Sequence, residues 1–220
     1  MSQVDVIAID GPVASGKGSV SSGVAKVLGF HVLDSGALYR LTALACMNQG
    51  MDLGDAAAAE KVARLLKPLF KDGKIYLEGK DMTDAIRTGE VGLNASKIAA
   101  YPGVRKALFE LQRRSAVEPG LVADGRDMGS VVFPEARLKI FLTASAESRA
   151  KRRYNQLKEK GISSNIDDLV SDLKDRDRRD MERSVAPLKP AEGARILDSS
   201  DLTLQETIDQ VLAWYRESKA

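Results

Sequence analysis

One cysteine, one histidine and one tryptophan stand among 220 residues, and aromatic side chains make up only 5% of the chain. The lone Cys46 excludes an internal disulfide and a cysteine-built metal cluster, and its neighbours Leu44, Ala45 and Met47 place it in a helix core. His31, between Phe30 and Val32 in a strand pattern, is assigned no catalytic role. Scarce aromatics offer few stacking platforms to single-stranded nucleic acid, and most of them, with Trp214, are expected in the core. No apolar run approaches the roughly 18 residues of a membrane span. An excess of one charge sign is also missing. With 33 Lys and Arg against 31 Asp and Glu, the net +2 gives no bulk attraction to DNA or to an anionic membrane. The N-terminal residues lead into an apolar strand without a basic leader segment, so the expectation is a cytoplasmic protein with neither nucleic acid nor membrane as partner.

What is present is enough to build a core: 44% hydrophobic residues, in a length that suits one domain with excursions. Residues 4–10 form a nearly continuous apolar run, the pattern of a strand buried on both faces. A helix carrying Val20, Val24, Val27 and Leu28 follows, ended by Gly29. "FHVLDSGALYR" repeats strand, turn and helix, with Leu38, Leu41 and Leu44 before a stop near Gly50. Two such units in fifty residues predict an α/β fold. The middle then changes character. An alanine-rich helix from Asp55 precedes "FKDGKIYLEGKDM", whose alternation and turns at Asp72-Gly73 and Glu78-Gly79 predict antiparallel hairpins inserted in the α/β frame. Helical patterns cover 88–100 and 102 to about 117, the second with Val104, Leu108 and Leu111 on one face. "GLVADG", "LKIFLTA" and "ARILDSS" supply three more strands, and an amphipathic helix with Leu204, Ile208, Val211, Leu212 and Tyr215 follows. Residues 145–183 are dense in charge, break at "EKGISSN" and look weakly anchored.

Between the first strand and helix lies "GPVASGKGS": Gly11, Pro12, Val13, Ala14, Ser15, Gly16, Lys17, Gly18 and Ser19. Gly11, four residues, then Gly16-Lys17 is the spacing that turns successive N–H groups inward around phosphate oxygens, with the helix N-terminus behind them. Lys17 would reach the β- and γ-phosphates of a nucleotide and a hydroxyl would hold Mg²⁺. A glycine-rich turn with a surface lysine is the plain alternative. Gly18 intervenes where Ser or Thr usually follows the lysine, a form similar to that of nucleoside-monophosphate kinases, which leaves either Ser19 or the neighbours of Gly18 to shape the Mg²⁺ shell.

A kinase needs a second anion site, and arginine's planar fork suits phosphate. "DSGALYR" offers Ser35, Tyr39 and Arg40; "GVRKALF" offers Arg105; "ADGRDMG" places Asp124, Arg126 and Asp127 beyond a strand's carboxyl end, where ligands bind in open α/β sheets. In "RDRRDMERSVAP", Arg176, Asp180 and Arg183 fall at i, i+4 and i+7, on one face if helical. A solvated salt-bridge helix is the competing account. Arg149, Arg152 and Arg153 span one turn, either as surface charge or as a flap that neutralises a transferred phosphoryl group.

Taken in order, "IDGPVASGKGS", "LDSGALYR", "ADGRDMGSVVFPEA", "RDRRDMERSVAPL" and "ILDSS" resemble the motifs of bacterial cytidylate kinases over nearly the whole chain. The resemblance implies a single P-loop kinase domain over 1–220. It has a parallel five-stranded core (about 1–34, 118–145 and 184–220), an acceptor region with a small antiparallel sheet (about 35–117) and a helical lid (about 146–183). It implies an enzyme that transfers the γ-phosphoryl of ATP to CMP or dCMP, reversibly and with Mg²⁺, and that works as a monomer. The P-loop residues would take ATP. Ser35, Tyr39, Arg40, Ser96, Arg105, Arg126, Asp127, Arg176, Asp180 and Arg183 would surround CMP, with Lys17, Arg126, Arg176 and Arg183 neutralising charge. A P-loop kinase for a non-nucleotide metabolite and an RNA-binding P-loop protein are the rival readings.

Overall fold

The computed structural model describes residues 4–71, 73–159 and 161–218. It divides into two compact units, one made of Met1–Leu33 with Ser115–Ala220 and the other of Asp34–Arg114.

The first unit is built on β1 (Val6–Asp10), followed by α1 (Lys17–Leu28) and β2 (His31–Asp34). Its later elements, numbered in chain order, are β6 (Leu121–Gly125), β7 (Leu138–Thr143), α6 (Ala146–Glu159), α7 (Ile166–Glu182), β8 (Arg195–Asp198) and α8 (Leu204–Glu217). The sheet order is β2-β6-β1-β7-β8, with β1 parallel to β6 and to β7, and β7 parallel to β8. Every residue of β1 and β6 is buried, which is why these segments read as unbroken apolar runs. The edge strands differ: β2 exposes His31 and Val32, and β8 exposes Ile196.

α1 and α8 pack through Val20, Val24, Ala25, Ile208, Val211 and Leu212 onto Ile7, Ile9, Ile140 and Leu142. The helices approach so closely that a Cβ on Gly23 would lie 2.3 Å from Ile208 Cδ1. Burying each such aliphatic side chain contributes about 1.5–3 kcal/mol. α8 starts with a capping box between Thr203 and Glu206 and is pinned near its end by Tyr215, whose hydroxyl donates to Asp5 Oδ2 at 2.6 Å. Trp214 is only partly buried, with the Arg195 guanidinium 5.3 Å from its ring. α6 and α7 are held differently: Ala150 and Leu173 are their buried apolar residues, and Arg149 and Asp180 are buried beside them.

The second unit opens with α2 (Ser35–Asn48), capped by Asp34, whose Oδ1 accepts from the Ala37 N–H at 3.1 Å. α3 (Ala56–Leu65) is capped by Asp55. The inserted sheet follows as β3 (Pro68–Lys71), β4 (Lys74–Leu77) and β5 (Lys80–Asp81), antiparallel throughout. Glu78 and Gly79 both take positive φ, 52° and 79°, as a two-residue hairpin turn requires. Of the other expected turn, Asp72 lies outside the described residues and Gly73 has φ 72°. A 3₁₀ turn (Ala85–Arg87), α4 (Gly89–Ile98) and α5 (Pro102–Arg113) complete the unit. Leu38, Leu41, Ile98, Val104 and Leu108 are among its fully buried apolar residues, and Cys46 is buried as expected. On α5, Gln112 rather than Leu111 continues the buried face, since it stands four residues after Leu108, whose carbonyl accepts from Gln112 Nε2 at 3.2 Å.

Candidate active site

The glycine-lysine loop leaves β1 at its carboxyl end and becomes α1 at Lys17. Gly11 is required by space: a Cβ there would lie 2.0 Å from the Leu142 carbonyl oxygen. Gly16, with φ 95°, is the N-cap of α1. Lys17 is buried, donating from Nζ to Pro12 O at 2.7 Å and to Ser15 Oγ at 3.4 Å. Burial pushes its pKa down to about 7, helped by the Arg126 charge and opposed by Asp124, Asp10 and Asp180. An ammonium with so little water around it is poised for an incoming polyanion. Ser19 is exposed on the first turn of α1, and the Asp124 carboxylate at the end of β6 is 3.6 Å from where a Gly18 Cβ would stand.

Arginines brace the loop from behind. Arg149 Nη1 donates to Val13 O at 3.0 Å and Arg152 Nη1 to Ser15 O at 3.1 Å. Arg152 also donates to the carbonyl and hydroxyl of Ser199, just beyond β8. Arg153 is half-buried on the same helix, next in sequence to the bracing Arg152. Beside Arg152 an open, largely polar groove is lined by Lys151, Asn155, Ser200, Leu202 and Thr203.

Beyond β6, Asp127 precedes a π-helical turn, Met128–Val132, that sequence reading did not anticipate. Its first N–H groups are satisfied across the sheet, where Asp10 accepts from Met128 N and Gly129 N at 2.8 Å each. Burial pushes the Asp10 carboxyl up to about 6, opposed by these two N–H donors. Asp127 is buried beside this turn. Arg126 Nε donates to Asp180 Oδ2 at 3.1 Å, so the structure joins two predicted acceptor residues on separate elements. Arg176 lies one turn earlier on α7. Arg183 does not share their helical face: it is the C-cap of α7 with extended angles (φ −61°, ψ 139°), and its Nε donates to Ala186 O at 2.6 Å. The helix ends at Glu182, and Ala186, the residue before Pro187, takes φ 47°.

In the second unit, Ser35 begins α2, with Tyr39 one turn on; both are buried. Arg40 donates to Ile86 O at 2.8 Å and Thr88 O at 3.4 Å, where Gly92 gives it room, since a Cβ on Gly92 would lie 2.9 Å from Arg40 Nη2. Ser96 stands one turn after Gly92 on α4, and Arg105 Nη1 donates to Ala99 O at 3.4 Å. Sequence reading singled out Asp124 but missed the parts played by Asp10 and Gly92. The position of Asp10 at the carboxyl end of a buried strand, the signal that marked Asp124, was available for it too; Gly92 carried none. His31 has its Nε2 3.0 Å from Glu118 O, at an exposed edge.

The chain matches the family model for cytidylate kinase over residues 7–217. It is 58% identical over 211 residues to a cytidylate kinase of Bordetella bronchiseptica, covering 96% of this chain and 95% of that one. A cytidylate kinase of Cupriavidus necator is 55% identical over 215 residues, covering 98% of this chain and 97% of that protein. One of Polynucleobacter asymbioticus is 53% identical over the full length of both.

Proposed function

The chain belongs to the cytidylate kinase family, and we propose that it transfers the γ-phosphoryl group of ATP to CMP and dCMP, giving CDP or dCDP and ADP. The observation that carries the donor half is the loop itself: a buried Lys17 at the mouth of a glycine-framed helix start, with its carbonyls tied back. A non-nucleotide acceptor is not favoured, because relatives above 50% identity over nearly the whole chain bear the cytidylate kinase name.

Loop N–H groups and Lys17 bind the β- and γ-phosphates, and the groove beside Arg152 receives the donor nucleoside. The residues present fit Mg²⁺. Ser19 and Asp124 offer hard oxygen donors at the first turn of α1, and no group of three His, Cys, Asp or Glu among the described residues forms a full cage. That suits a cation completed by nucleotide phosphates. When bound, the cation would be held by Ser19 and Asp124 and would supply positive charge to offset that of the donor phosphates.

Acceptor-side residues are assigned unit by unit: Arg126, Asp127, Arg176, Asp180 and Arg183 in the first, and Ser35, Tyr39, Arg40, Ser96 and Arg105 in the second. The arginines orient the CMP phosphate; Asp127, Asp180 and Ser96 engage base and sugar, a carboxylate accepting from the cytosine amino group. An oxygen of that phosphate attacks the γ-phosphorus, and the bond to the bridging oxygen breaks with its electron pair leaving on ADP. No protein nucleophile takes part, so catalysis is positioning and charge neutralisation by Lys17, Arg126, Arg176 and Arg183. Arg153, half-buried on α6, is the arginine of that helix that this reading leaves for the transferred group. The test is ADP formation from ATP and Mg²⁺ with CMP, dCMP, UMP, AMP or no acceptor. Turnover concentrated on CMP and dCMP is expected; equal turnover without acceptor would reduce the protein to an ATPase.

A further inference from the structure

Ala14, in the middle of the phosphate loop, has φ 59°, a left-handed conformation that a Cβ disfavours. Strain of this kind persists only where the surroundings over-determine it. The two carbonyls flanking Ala14 are both held from outside, Val13 O by Arg149 and Ser15 O by Arg152. These arginines are three residues apart on α6 and so share one face. Arg149 is 4% exposed, and its other donors are committed: Nε to Ala144 O at 3.0 Å, and a two-pronged pair with Asp177 at 3.1 and 2.5 Å. A guanidinium fixed on three sides has one orientation available, and that orientation presents Nη1 to the loop. Asp177 follows Arg176 directly on α7 and precedes Asp180 by three residues.

We propose that Arg149 is a positioning residue that holds the phosphate loop in its strained, ligand-ready form and ties it through Asp177 to the turn of α7 carrying Arg176 and Asp180. The proposal rests on the loop being the ATP site. It moves Arg149 from contact with the transferred phosphoryl to support behind the loop. A loop released from this brace spends less time in the binding-competent form, and apparent affinity falls by that fraction. Glycine at position 14 takes left-handed angles without steric penalty, so it removes the need for part of the brace.

The experiment measures MgATP affinity by calorimetry and kcat at saturating ATP and CMP for the wild type, Arg149→Met, Asp177→Asn, Ala14→Gly and each pairing with Ala14→Gly. Arg149→Met weakens MgATP binding about ten-fold while saturating kcat stays within about three-fold, the split expected when a competent population is lost. Asp177→Asn, which touches neither loop nor substrate, shifts affinity in the same direction by about three-fold. Ala14→Gly recovers most of the affinity in both backgrounds. A fall of about a hundred-fold in saturating kcat, unrelieved by Ala14→Gly, would overturn the proposal and make Arg149 a phosphate ligand. If Arg149→Met melts at the assay temperature, the Asp177→Asn pair decides, and unchanged MgATP affinity there overturns the proposal. A wild type that binds no MgATP would instead remove the reading of the loop on which the proposal stands.

Discussion

The phosphate loop and α7 carry comparable chemistry on opposite supports. The loop runs between a strand with all five residues buried and a helix whose Val20 and Val24 lie in the main apolar cluster. α7 buries one apolar side chain, Leu173, and is held by Arg149–Asp177 and Arg126–Asp180. Apolar packing fixes a geometry whether or not ligand is present, whereas an arginine held by a carboxylate can exchange that partner for a phosphate. On the proposed function, the donor site falls on the rigid part of the first unit, and acceptor recognition is expected at a helix that tightens on binding.

The largest effect should come from the rigid side. Lys17→Met is expected to lower kcat by at least about a hundred-fold without unfolding the protein. The same substitution should raise the melting temperature of the ligand-free protein near neutral pH. A lysine held at about 7 in the folded state rather than 10.5 costs stability fully below about 7, and that cost fades as pH rises toward 10.5. A melting curve of Lys17→Met that falls below wild type would contradict the burial argument.

Next, Asp180→Asn removes a buried carboxylate that Arg126, just past β6, holds in the free protein. We expect kcat/KM for CMP to drop by about ten- to a hundred-fold while MgATP affinity in the absence of CMP changes little, consistent with loss of a polar contact to the base. Equal losses for both nucleotides would erase the distinction between the two regions.

A smaller effect sharpens the picture in the second unit. Gly92→Ala pushes a methyl group against the Arg40 guanidinium, whose flexible end can shift. KM for CMP should rise by about three- to ten-fold with kcat little changed, because the arginine is displaced rather than lost. The smallest signal is a proton. At about pH 8 a lysine with pKa near 7 is mostly neutral, and arriving phosphates raise that pKa, so MgATP binding takes up a fraction of one proton. Calorimetry in two buffers of different ionisation heat measures it, and Lys17→Met abolishes it.

How much of this was legible in the sequence follows the range of the interactions. The phosphate loop was readable because its spacing is local, nine consecutive residues running from the end of a strand into the first turn of a helix. The hairpins of the second unit were readable because Glu78-Gly79 is itself a turn signal. Asp10 and Met128 are 118 residues apart in sequence, and no pattern along the chain announces that one caps the turn begun by the other. Arg183 was misplaced by extending a helical face past Glu182, where the chain turns to extended angles. The three arginines of α6 were visible as a cluster, but which of them faces the loop depends on how α6 packs.

Amide hydrogen exchange on the full-length protein, free and with saturating CMP, AMP or MgATP, tests the central contrast most directly. The account predicts slow exchange for β1 and α1 in every state, and for α7 a clear slowing with CMP that AMP does not reproduce. Equal protection of α7 with and without CMP, or the same slowing with AMP, would contradict it.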